Sequence, residues 1–236
     1  MTKKTNNKLT KLIKYYSLIN YNLFFSKESI NRYQANKFTI NVNKETLLKK
    51  LSNSIASIKS CALRKNATNQ VFSDGNPDSS IMVVGEGPGS SEDQEGIPFV
   101  GRAGQLLDKM FESISLDRNN IYITNVVNYR TPENRSPTKE EIEEYLPYLI
   151  KHIEIINPKI LVLLGSTALN SIIGDKDVIS DVRGKWFEKK IGSCKTSVIV
   201  SFHPAFLMRQ PTQKKMTWID LKMIRKKISD LKIKID

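Results

Sequence analysis

Residues 79–89 read SSIMVVGEGPG, and the fold turns on how they are read. Ile81 to Val84 form an unbroken apolar run that stops at Gly85, with Gly87 and Gly89 on either side of Pro88. A short apolar run closed by turn residues is a strand buried on both faces, as in a parallel sheet covered by helices. The loop that follows is rich in backbone freedom. Gly85, Gly87, Gly89, Gly96, Gly101 and Gly104 are six of the chain's eleven glycines, and Glu86, Glu92, Asp93 and Glu95 lie among them. An amphipathic run, GQLLDKMFESI (104–114), then reads as a helix.

The same alternation continues outward. NNIYITNVV (119–127), PKILVLLGS (158–166) and KTSVIVSFHPA (195–205) are three further strands. SPTKEEIEEYLPYLIKHIEII (136–156), TALNSIIG (167–174) and TWIDLKMIRKKISDLK (217–232) are helices, the first announced by Ser and Thr before an acidic turn. The pattern predicts an α/β fold: three layers, α/β/α, around a central four-stranded parallel sheet. Residues 1–60 differ. LTKLIKYYSLIN and KETLLKKLSNSIASIKSC have helical spacing and many lysines, and predict a basic helical extension before a domain at 61–236.

Composition narrows the function. Lys+Arg is 37 and Asp+Glu is 24 in 236 residues, a net charge of +13, which suits a polyanionic partner as well as a merely solvated surface. Two cysteines, Cys61 and Cys194, make no disulfide framework. No apolar run approaches eighteen residues, so a cytoplasmic protein without a membrane partner is expected.

Parallel sheets bind ligands at the carboxyl ends of their strands. Here those ends offer Gly85-Glu86-Gly87, Asn125, Gly165-Ser166 and His203. The glycines do not follow the dinucleotide spacing G-x-G-x-x-G, and no G-K-[ST] follows. Taken alone, Asn125 reads as a turn cap, His203 as a structural histidine, and Phe99 as core. Together at strand ends they suit a flipped nucleobase: a ring to stack on, an amide to read the base edge, an imidazole to meet the charge of a departing base.

The chain closely resembles family 4 uracil-DNA glycosylases. The resemblance is carried by VFSDGNPDSSIMVVGEGPGSSEDQEGIPFVGRAGQLLD, IYITNVVNYRTPENRSPTKEE, NPKILVLLGSTAL, VRGKWF and FHPAFLMRQPTQKKMTWIDL. It implies a repair hydrolase that removes uracil from single- or double-stranded DNA, acting as a monomer, by base flipping and without a strand nick. By resemblance Glu86 is the motif carboxylate between Gly85 and Gly87, Phe99 the stacking ring, Asn125 the edge-reading amide and His203 the group that stabilises the uracil anion. Gly87 stands where the family usually has Ala. Glu92 and Asp93 match an acidic pair that positions the loop, and Leu207 or Met208 the wedge, with Arg209 on phosphate. A non-catalytic nucleic-acid-binding relative is the alternative. A cross-linking relative is disfavoured, because NYRTPENRSP (128–137) lacks the histidine it needs. One feature departs from the family, which carries an iron–sulfur cluster on four cysteines. Those positions here are Ile58, Cys61, Tyr129 and Tyr145, so no metal or cofactor is expected.

Overall fold

A computed structural model describes residues 43–58, 61–174 and 178–235. The predicted helix in 9–20 lies outside the described residues.

Four apolar runs form the centre of the sheet, as their sequence requires. β2 (Ile81–Gly85), β3 (Tyr122–Asn125), β4 (Ile160–Leu164) and β6 (Cys194–Ser201) are mutually parallel in the order β3-β2-β4-β6. Their residues are almost wholly buried, and the alternation of side chains divides them between two apolar layers. Met82, Val84, Leu161, Leu163, Val198 and Val200 face one layer; Ile81, Val83, Ile160, Val162, Leu164 and Ile199 face the other.

The expected four-stranded sheet needs one correction. An antiparallel strand closes each edge, giving six: β1 (Asp74–Gly75) beside β3, and β5 (Trp186–Ile191) beside β6. β1 has two residues and no periodicity to read. β5, WFEKKI, carries Glu188, Lys189 and Lys190, the charge that keeps an edge strand from pairing with another chain. It returns into β6 through Gly192-Ser193, with Gly192 at φ +55°.

The helices are α1 (Lys44–Ala56), α2 (Ser90–Glu95), α3 (Arg102–Glu112), α4 (Lys139–Ile156), α5 (Ser166–Ile172), α6 (Ile179–Val182), α7 (Pro204–Arg209) and α8 (Lys214–Asp230). α3 and α8 cover one face through Leu107, Phe111, Leu221, Ile224 and Ile228. α1 and α4 pack together in the other layer, where Leu48, Leu51 and Ile55 of α1 are buried with Tyr145, Leu149 and Ile153 of α4. α1 falls on the extension side of the boundary expected at residue 60, yet its apolar stripe belongs to the core of the domain. α4 starts where its sequence says: Thr138 Oγ1 accepts from Glu141 N, and the Glu141 carboxylate accepts from Thr138 N.

Parallel pairing puts the carboxyl ends side by side. Gly85 pairs in register with Asn125, and Leu164 with Ser201, two residues before His203.

Candidate active site

The strand ends open onto a hollow of about 180 Å³ whose walls include Glu86, Gly87, Phe99, Asn125, Arg135 and His203. Five of these six are residues the sequence singled out. A wider groove of about 500 Å³ shares Glu86, Gly87 and His203 and runs on to Phe206 and Arg209.

Gly85 is glycine because of its neighbours. A Cβ there would lie 2.4 Å from the Phe99 ring and 2.5 Å from Asn125 Oδ1, so ring and amide close on bare backbone. Phe99 is 5% exposed and sits at φ +56°, a left-handed conformation that costs a side-chain-bearing residue about 1 kcal/mol. Two groups outside the expected set hold it there. Arg118 donates to the carbonyls of Pro98 and Phe99 while paired with Asp74 and Asp108. Gly104 lets the Phe99 carbonyl come so close that a Cβ would sit 1.7 Å from it.

Asn125 is 3% exposed, and its Oδ1 has no hydrogen-bond partner among the described residues. Burying an amide oxygen unpaired costs about 1–3 kcal/mol, so this atom calls for an explanation that the fold alone does not give.

His203 caps α7. Its Nδ1 accepts the backbone N–H of Ala205 at 3.2 Å, so the neutral ring carries its proton on Nε2. Desolvation, aided by the positive charge of Arg209, pushes its pKa down to about 4 against a small opposing pull from Glu92. The imidazole is therefore an uncharged donor at neutral pH. Its ring centroid lies 5.6 Å from that of Phe99, with 31° between the planes.

Glu86 is half-buried; Thr167 Oγ1 donates to its Oε2, and Ser136 Oγ lies 3.4 Å from its Oε1. Sequence reasoning missed Thr167. The only signal was its place in the first turn of a helix that follows a strand end. Glu92 works by tying loops: its carboxylate accepts from Gly89 N at 3.1 Å and Gly101 N at 2.8 Å. Asp93, 3% exposed, accepts from the backbone of Thr68 and Asn69.

Of the residues expected to meet DNA, Leu207 is 1% exposed and packed into the fold, while Met208 is half-buried and Arg209 exposed.

The other region the sequence singled out lies in the α1–α4 layer. Ile58, Cys61, Tyr129 and Tyr145, far apart in sequence, all join its apolar cluster. They are 7%, 2%, 5% and 0% exposed, and Cys61 Sγ meets the Tyr145 hydroxyl at 2.9 Å. Desolvation and the neighbouring thiol raise the pKa of Tyr145, so it stays a neutral phenol. Cys194 is on β6, in the turn-end pair with Ile191 of the edge strand. One thiol and two phenols do not fit an iron–sulfur cluster, which takes about four thiolates. Among the described residues no group of three or more His, Cys, Asp and Glu is placed to hold a metal ion.

Residues 72–222 match the model of the uracil DNA glycosylase superfamily. The type-4 uracil-DNA glycosylase of Thermotoga maritima is 43% identical over 70% of this chain and 85% of its own length. Those of Archaeoglobus fulgidus and Pyrobaculum aerophilum are 42% and 39% identical, over 72% and 70% of this chain and 87% and 86% of their own. With its parallel strands ending on a glycine loop, an unpaired buried amide and a neutral imidazole, this chain belongs to the uracil-DNA glycosylase superfamily, on its type-4 branch.

Proposed function

We propose that the protein hydrolyses the N-glycosidic bond of deoxyuridine in DNA. The observation that carries this is Asn125, which lines the hollow with Phe99 and His203 and whose buried Oδ1 has no partner among the described residues. The target nucleotide leaves the stack and its base enters the hollow. Uracil stacks on Phe99, N3–H donates to Asn125 Oδ1, and the amide nitrogen of Asn125 donates to O4. Cytosine has an acceptor at N3 and cannot replace it. The turn at Glu86–Gly89 and the Phe99 ring form the wall that a C5 methyl would strike.

Catalysis then rests on charge. As the C1′–N1 bond breaks, its electron pair passes into the pyrimidine and negative charge gathers on O2. His203 Nε2–H donates there, an interaction stronger in the transition state than in the ground state. The sugar becomes cationic. The Glu86 carboxylate, oriented by Thr167, faces that charge and holds the water whose oxygen bonds to C1′. The water releases one proton to the carboxylate or solvent, and the uracil anion later takes one from solvent. No amine joins the sugar, so the product is an abasic site in an intact strand.

Two free buried cysteines fit a reducing cytoplasm. The donor set around Cys61 supports a protein that folds and works without an iron–sulfur cluster. The test is release of uracil from labelled single- and double-stranded oligonucleotides, with strand cleavage read before and after alkali. Uracil release with cleavage only after alkali is expected. Tight DNA binding without release would instead identify a non-catalytic relative.

A further inference from the structure

We propose that the exposed face of α8 carries the DNA strand that flanks the extruded nucleotide; this rests on the uracil-excision reading. The face is exceptional in two ways. Six large hydrophobic residues are exposed among the described residues, and two of them, Trp218 and Ile219, are neighbours here. The same turns are cationic. Lys214, Lys215, Lys222, Arg225 and Lys226 are all exposed, and none has an acidic partner among the described residues. The one acid between Lys214 and Lys226 is Asp220, fully buried and paired with Arg183. Lys227, by contrast, lies off this face, paired with Glu188 at 3.1 Å and set over the Trp186 ring.

Helical spacing aligns the two features. Lys214, Trp218, Lys222 and Arg225 follow one another at steps of four, four and three, a single stripe along the helix. Lys222 Nζ lies 5.9 Å from the Trp218 ring centroid. An aromatic ring between unpaired cations is the arrangement that holds a single strand, with bases stacked on the ring and phosphates on the ammonium groups. A protein partner would bury the same ring, but five unopposed cations select a polyanion.

The face is also fixed relative to the site. Asp220 accepts from Ser201 Oγ at 2.7 Å, two residues before His203, and Arg183 donates to the Met216 carbonyl. The first turns of α8 are thus bolted to the strand end that presents the imidazole. Between them, α7 ends at Arg209 on the wider groove, and the short turn Pro211–Gln213 leads straight into Lys214. A strand leaving that groove past Arg209 meets Lys214 and Trp218 next.

The test compares wild type with Trp218→Ala and with the triple variant Lys214→Gln/Lys215→Gln/Lys222→Gln, all at exposed positions. Binding of a fluorescent, undamaged single strand is measured by anisotropy across salt concentrations, which needs no chemistry. Uracil release is then followed on the same sequence. Trp218→Ala is expected to weaken binding and raise KM roughly tenfold with kcat unchanged. The triple variant is expected to lower the slope of log K against log salt by about 2, at about 0.7 for each phosphate no longer neutralised. Unchanged affinity and slope in both variants would overturn the proposal, and would leave the face to a protein partner. If wild type binds as expected yet releases no uracil, the catalytic reading fails and the strand path stands.

Discussion

Asn125 and Cys61 are both nearly closed to solvent, at 3% and 2% exposed, yet their surroundings are opposite. The Asn125 oxygen has no partner among the described residues, the adjoining Phe99 is held in a left-handed conformation, and the nearby imidazole is kept neutral. Around Cys61 the described residues are apolar and packed. The thiol meets a phenol, and Ile58, Tyr129 and Tyr145 belong to the same apolar cluster. The first region keeps an unpaired oxygen that a ligand's donor can satisfy, beside a ring whose strained backbone the fold itself holds in place. The second has the satisfied packing of a core. The difference separates a site that binds from a place where residues merely fit.

Substitutions in the two regions should therefore fail in different ways. The largest effect is expected from Asn125→Ala, which should lower kcat/KM for uracil release roughly 10³-fold, because the base edge loses both of its partners. Its melting temperature should hold or rise, since Oδ1 has no hydrogen-bond partner among the described residues. A large loss of stability would show that Asn125 is structural and would blur the contrast.

His203→Ala should lower kcat about 10²-fold to 10³-fold with little change in KM, because its hydrogen bond matters most once charge has developed. Its titration sharpens the point. The folded pKa of about 4 lies below the usual value near 6.5, so as pH falls the unfolded chain takes up the proton first. The stability from a neutral His203 is complete above about pH 6.5 and is lost as pH falls toward 4. His152, buried against Phe72 and depressed to about 3, adds in the same direction. Melting temperature should fall over that window, less steeply in His203→Ala, while wild-type kcat should show no step from His203 between pH 8 and 5. A kcat step near pH 6.5 would mean the imidazole works as a cation.

The Cys61 region should show the reverse. Tyr145→Ala should destabilise the fold by about 3–5 kcal/mol, a fall of roughly 10 °C in Tm, with kcat retained below the transition. Tyr145→Phe keeps the ring and removes only the hydroxyl that meets the thiol, so about 1 kcal/mol is expected.

The parallel strands were legible because each is an apolar run ending in a turn residue, and their ends predicted where Glu86, Asn125 and His203 would meet. The edge strands were not. β1 is two residues long, and β5 hides its pairing under charges that edge strands need. Asn125, Phe99 and His203 could be picked from chemistry and strand position, but their supports could not. Arg118 and Thr167 act through tertiary contacts, with Phe99 and Glu86, across gaps of 19 and 81 residues. The burial of Leu207 was hidden for a similar reason: AFLMR alone does not say which face of α7 is packed. α1 read correctly as a helix, while its membership of the core depended on α4, almost a hundred residues on.

The smallest expected effect is none at all. Protein purified anaerobically should be colourless and free of stoichiometric iron, and its activity and melting temperature should survive a chelator. A brown protein with about four irons per chain would contradict the reading of the Cys61 region as a filled core.

The contrast between a waiting amide and a filled core is tested best by single-turnover release of uracil from a labelled oligonucleotide. Wild type and Asn125→Ala are compared, with the melting temperature of each measured alongside. Rapid release by wild type is expected, with release slowed about a thousandfold in the variant and equal or higher stability of the variant. Equal release by the two proteins would contradict this, because the buried, unpaired amide would then have no part in reading the base.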